Sequence, residues 1–166
     1  LSLTGGDLRA AERTFQMLTQ LSGRAGRDEK RGHALIQSYE PDNNVMQAIA
    51  NGDREKFFAI ESENRSLRNL PPHGRLAAII VQSKNISELE IFVKILGKSL
   101  RNLINKRIKV LGPAPAPINK LRGWYRYRFL VMGKRKDLLQ PFIREWLEKV
   151  NVRRGMRVKI DIDPYN

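Results

Sequence analysis

The sequence contains no cysteine. That absence removes disulfides, thiol nucleophiles and cysteine-ligated zinc together. Histidine is almost as scarce, and the two present, His33 and His73, stand too far apart to set a metal-ligand spacing. No long uncharged apolar run occurs, so there is no signal for a transmembrane helix or a secretory leader, and the expected compartment is the cytoplasm. The start, LSLTGG without methionine, is that of a processed chain or of a piece of a longer one. Acidic residues are also unevenly scarce. Residues 1–69 hold 10 basic and 10 acidic side chains, whereas residues 70–166 hold 21 basic against 7 acidic. The whole net charge of +14 therefore falls in the C-terminal part. A basic field of that density attracts polyanions, nucleic acid first among them.

With 166 residues, 41% of them hydrophobic, the chain can hold one ordinary domain, or a compact domain plus a fragment. Asp7 is placed to cap a helix over about 8–21, with Leu8, Ala11, Phe15, Leu18 and Leu21 on one face and Gly23 as its stop. HALIQSY, residues 33–39, reads as a short buried strand. Helices are expected near 43–51 and from Asp53 to about Arg68, the second with Phe57 and Ile60 on one face. Consecutive prolines cannot continue a helix, so the domain boundary is placed near Pro71–Pro72. It separates residues 1–70 from 71–166.

Beyond the boundary the order is strand (RLAAIIVQS), amphipathic helix (86–105), strand (RIKVLG), strand (GWYRYRFLVMG), helix (137–150) and strand (GMRVKIDID). PAPAPINKL reads as a proline-stiffened connection, either an arm that docks elsewhere or a plain linker. The apolar helix residues are Leu89, Phe92, Val93, Leu96, Leu100, Leu103 and Ile104 in the first helix. In the second they are Leu138, Leu139, Phe142, Ile143, Trp146, Leu147 and Val150. The β-α-β-β-α-β order is that of a ferredoxin-like α+β fold, an antiparallel sheet with both helices on one face and the other face free. Within KLRGWYRYRF, alternation puts Trp124, Arg126 and Arg128 on one face and Tyr125, Tyr127 and Phe129 on the other. The first set suits the open face, where an indole stacks on bases and guanidinium groups meet phosphate. Lys120 and Arg122 precede it and join the candidate DNA-binding set. The helix carrying Lys94, Lys98 and Arg101 offers another basic face, read chiefly as a solvated one. Arg122-Gly123-Trp124 and Phe129 partly echo an RNA-recognition sheet motif, although Tyr125 stands where that motif wants a small residue.

Gly97-Lys98-Ser99 imitates the end of a phosphate loop, but the required earlier glycine is Phe92 and the segment reads as mid-helix. No residue set in the chain cradles a nucleoside triphosphate. The segment QLSGRAGR nevertheless sets Arg24 and Arg27 three apart on a glycine-softened turn, an arrangement suited to an anion. Its pattern Gln-x-x-Gly-Arg-x-x-Arg resembles the last motif of superfamily two helicases, in which such arginines project from the second RecA-like lobe onto the γ-phosphate held by the first.

DLRAAERTFQMLTQLSGRAGR, ALIQSYEPDN, NLPPHGRLA, VLGPAPAPINKLRGWYRYRFLV and the terminal IDIDP resemble, in order, the C-terminal stretch of the primosomal protein N′ family of replication-restart helicases. The likeness covers essentially the whole chain, and Gly112–Phe129 is its most distinctive part. It implies that residues 1–70 are the tail of the second RecA-like lobe and that residues 71–166 are a ferredoxin-like, ribosomal-protein-like DNA-binding domain. It implies an ATP- and magnesium-dependent 3′-to-5′ DNA helicase that recognises stalled forks and assembles a primosome on forked or single-stranded DNA. Other primosome proteins and single-strand-binding protein would be its partners. Arg24 and Arg27 would face the phosphate, Gln20 would couple that site to DNA, and the family's zinc segment would lie outside this chain. On this reading the chain alone is not catalytically competent. A non-enzymatic RNA-binding or ribosome-associated protein is the rival reading, and a protein-interaction platform is a third.

Overall fold

The computed structural model describes residues 9–24, 34–100, 103 and 107–164. The chain divides into two compact units, one within residues 1–64 and the other Arg65–Pro164. Pro71–Pro72 therefore lie inside the second unit.

The first unit is helical among its described residues. It holds α1 (Ala10–Arg24), α2 (Asn44–Ala50) and most of α3 (Arg54–Leu67). Asn43 caps α2 by accepting the Val45 N–H, which satisfies one of the donors a helix start leaves unpaired. The core is small: Ala11 and Phe15 of α1, Met46, Ala48 and Ile49 of α2, and Phe57 of α3. Phe15 and Phe57 stack with centroids 4.5 Å apart. Two expectations change. The first helix does not stop at Gly23 but runs on to Arg24, since one exposed glycine costs a helix only about 1 kcal/mol. Residues 34–38 form no strand, and Leu35 and Tyr39 are fully exposed. A strand needs a neighbour to take its backbone hydrogen bonds, and no other strand occurs among the described residues of this unit. Asp7, Leu8, Arg27 and His33 lie outside the described residues.

The second unit has the expected ferredoxin-like order. It runs β1 (Gly74–Ser83), α4 (Ile86–Ser99), β2 (Lys109–Leu121), β3 (Trp124–Lys134), α5 (Leu139–Glu148) and β4 (Met156–Ile162). The four strands form one sheet in the order β2-β3-β1-β4, every pair antiparallel. β1 and β3 are central, so both pack an apolar face. Ala77, Ile79 and Val81 of β1 and Phe129 and Val131 of β3 meet Leu89, Phe92, Val93 and Leu96 of α4 and Leu139, Phe142, Ile143 and Trp146 of α5. Trp146 is fully buried. Its indole N–H donates to the Leu96 carbonyl at 3.0 Å and to Ser99 Oγ at 3.1 Å, which meets the requirement that a buried indole find an acceptor. Its ring meets Phe129 edge-on at 5.1 Å. Asn85 caps α4 through the Ser87 and Glu88 N–H groups. Pro141 sits in the first turn of α5, where its missing N–H removes nothing. Leu138, expected inward, is instead the exposed N-cap of α5. Leu103 packs on the core edge, and Arg101 and Ile104 lie outside the described residues. Among the described residues no helix is long and apolar enough to cross a membrane.

One connection is corrected. The proline-rich stretch is neither arm nor linker: residues 109–121 form the single strand β2. Prolines are tolerated because β2 is an edge strand and its register slips twice against β3. Gly112 and Pro113 together oppose Phe129 at the first slip, and residues 116–119 bulge opposite Arg126 at the second. Gly112 has φ +114, and a Cβ there would lie 2.7 Å from the Arg128 carbonyl oxygen. The sheet can therefore close on Phe129 only with glycine at this position.

Candidate nucleic-acid interface

The register decides which side chains share the free face. Arg126 of β3 opposes Gln82 of β1, which opposes Arg157 of β4; Arg128 opposes Ile80, which opposes Lys159. Antiparallel partners point to the same side of a sheet. Trp124, Arg126 and Arg128 thus stand together on the face away from the helices, as the alternation within KLRGWYRYRF requires. Phe129, Tyr125 and Tyr127 pack on the helix side.

Arg157 and Lys159 join the first set from β4, two strands away from Trp124. The Arg157 guanidinium lies over the Trp124 ring, 4.1 Å from its centroid, and Lys84 Nζ stands 5.8 Å from the same ring. A cation on the face of an indole is attracted by the ring quadrupole. Sequence reasoning missed both residues as site members. The signal was present: alternation in GMRVKIDID sets Arg157 and Lys159 on the polar side, and β-α-β-β-α-β order pairs the last strand with the first.

The two β3 arginines have different surroundings. Arg126 Nη1 reaches the Ile118 carbonyl at 3.4 Å, in the bulge of β2, while its Nε is shut from solvent with no hydrogen-bond partner among the described residues. A sealed, unsatisfied donor is costly, and turning the guanidinium toward an anion relieves it. Arg128 is half-buried, and burial lowers its pKa from the ordinary arginine value. An anion at this face would return the solvation that burial removes. Among the described residues no carboxylate forms an ion pair with Arg126, Arg128, Arg157 or Lys159.

The remaining candidates are dispersed. Lys120 belongs to the other side of the hairpin: its Nζ donates to Tyr125 Oη at 3.2 Å and sits 4.7 Å from that ring. Arg122 and Gly123 form the exposed hairpin tip with φ +50 and +80, the two left-handed residues of a tight turn that suits strand twist. Gln20 and Arg24 are exposed one turn apart near the end of α1, in the other unit. Lys94 is exposed on α4, and Lys98 also lies on that helix. Gly97-Lys98-Ser99 ends α4, with Ser99 Oγ bonded to the Leu96 carbonyl, so it forms no phosphate loop. Among the described residues no group of acidic, histidine or cysteine side chains could hold a metal.

A family model described as the primosomal protein N C-terminal domain matches residues 66–165. The chain is 39% identical over 164 residues to the replication restart protein PriA of Rickettsia felis, which covers 99% of the chain and 25% of that protein. It is 33% identical over 162 residues to the replication restart protein PriA of Bacillus subtilis, covering 96% of the chain and 20% of that protein. To the protein of the same name from Synechocystis it is 40% identical over 129 residues, covering 78% of the chain and 16% of that protein. The chain spans about a quarter or less of the length of these curated relatives.

Proposed function

The chain belongs to the primosomal protein N C-terminal domain family, and from that premise we propose that it is the C-terminal part of a cytoplasmic ATP-dependent 3′-to-5′ DNA helicase that recognises stalled replication forks and restarts replication. The second unit supplies DNA binding through its free sheet face. The patch formed by Trp124, Arg126, Arg128, Arg157 and Lys159 is the single observation that carries this reading. It offers one aromatic surface and four guanidinium or ammonium groups with no carboxylate paired to them among the described residues. Such a face binds a single strand by stacking and phosphate contact without requiring a base sequence. Arg122, at the hairpin tip beside it, extends the charge.

Gln20, Arg24 and Arg27 are the phosphate-facing motif of the helicase. ATP and magnesium bind on a lobe outside this chain, whose gap these arginines complete, and the family's zinc segment also lies outside it. Primosome and single-strand-binding proteins are the partners of the whole enzyme.

The test is a binding titration of this chain with forked DNA, single-stranded DNA and single-stranded RNA of equal length, in rising salt. DNA should bind, with affinity falling steeply as salt rises. RNA binding well above DNA binding would favour a ribosome-associated role, and salt-insensitive capture would favour a protein partner. Either result overturns the DNA reading.

A further inference from the structure

The free face is not uniform along β3. At the Trp124 end it is open. At the opposite end, residues 67–70 wall a cavity of ≈ 570 Å³ against the ends of β2 and β3. Its floor is apolar: Leu70, Leu111 and Met132. Its rim is cationic: Arg68, Lys109 and Lys134, all exposed. No lining residue is acidic. Lys109 opposes Met132 and Leu111 opposes Leu130, so the cavity opens on the same side of the sheet as Trp124, Arg126 and Arg128.

This combination specifies a ligand class. Leu111, 44% exposed, lies within a ring of cations, so an apolar surface and anion-binding groups adjoin in one cavity. A nucleotide unit has both properties: a flat base to cover Leu111 and Met132, and a phosphate for Lys109, Lys134 and Arg68. We propose that the cavity seats one nucleotide of the same strand that stacks on Trp124, so that β3 is a track with an anchor at each end. This rests on the nucleic-acid reading of the sheet face. Trp124 and Met132 are eight residues apart on β3, or about 26 Å at ~3.3 Å per residue. At about 3.4 Å per stacked nucleotide, the track holds up to about eight nucleotides, and fewer if the bases are splayed.

The proposal is tested by titrating this chain with labelled oligothymidylates from ~2 to ~12 nucleotides, following their anisotropy. Affinity should rise with length and then show a distinct step of about tenfold when the strand first reaches both anchors. Lys109→Glu and Lys134→Glu, both exposed charge reversals, should each remove the step while retaining the binding of short oligomers. Trp124→Ala, followed by anisotropy of labelled DNA, should weaken every length. A step that persists in Lys109→Glu at parental size overturns the cavity's role and leaves the face intact. Displacement of a long oligomer by an acidic peptide with an apolar end, with no length step in the parent, also overturns it and assigns the cavity to protein. If the parent binds no oligomer at any length, the reading of the sheet face itself fails.

Discussion

The Arg157 guanidinium lies 4.1 Å from the centroid of the Trp124 ring, reaching from β4 across β1 to β3. One face of the indole is therefore already occupied by a cation. A base can stack on the other face, or on the far side of the guanidinium, and the phosphate of the same nucleotide then meets a positive charge held in position. The pair should act as a unit. Trp124→Ala should cost about 1–3 kcal/mol of single-strand binding, and Arg157→Ala should lower affinity and flatten the salt slope by about one phosphate's worth. A double-mutant cycle should give a coupling of about 0.5–2 kcal/mol. Strictly additive losses would show that the two residues bind independently.

Arg126 and Arg128 should act through charge alone. Replacing both by alanine should reduce the slope of log K against log salt by about one to two units, whereas Trp124→Ala should leave that slope near the parent's. The measurement is a salt titration of the parent and both variants with one oligonucleotide. An unchanged slope in the double arginine variant would place the phosphate contacts elsewhere.

Two glycines of the β2–β3 hairpin, Gly112 and Gly123, should differ in their tolerance of alanine. At Gly123, φ is +80 and nothing lies within 4 Å of a Cβ, so Gly123→Ala should cost about 1 kcal/mol in backbone strain. At Gly112, φ is +114 and the Cβ would also run into the Arg128 carbonyl and the Phe129 ring. Strain and overpacking together should cost about 2–4 kcal/mol. Urea unfolding of the two variants checks the order, and equal losses would contradict it.

The Tyr127 hydroxyl donates to Glu90 Oε1 at 3.1 Å, joining β3 to α4. Burial, then this bond and the carboxylate's charge, raise its pKa above the ordinary 10.0. The neutral phenol is thus favoured by the folded state. Its contribution to stability is complete below pH 10.0 and is lost as pH rises through the folded value. The stability difference between the parent and Tyr127→Phe should therefore shrink in alkaline solution. Unfolding curves across that range measure it, and a constant difference would show that the tyrosine titrates alike in the folded and unfolded states.

With no phosphate loop, this chain should show no saturable ATP binding by calorimetry. In a longer protein that includes the ATP-binding lobe, Arg24→Ala or Arg27→Ala should reduce ATP turnover by about 10³–10⁵ while leaving DNA affinity near the parent's. Parallel loss of both activities in a folded variant would contradict the phosphate-facing assignment.

The sequence by itself determined the order of the second unit's elements, because its helices and β3 carry a clear period. Leu89, Phe92, Val93 and Leu96 recur at helical spacing, and Trp124 to Phe129 alternate at strand spacing, so Trp124, Arg126 and Arg128 had to share a face. It did not determine the state of HALIQSY, since a short apolar run forms a strand only where another strand accepts its hydrogen bonds. Nor could it show that PAPAPINKL is strand: proline forbids a regular ladder, and only the register slips opposite Phe129 and Arg126 make room for it. Tertiary structure alone decided that Arg157 covers Trp124, that Lys120 turns to Tyr125, and that residues 67–70 wall the far end of the free face. Those relationships join residues distant in the chain or choose between two sides of a hairpin. They depend on strand register and twist, which local periodicity does not encode.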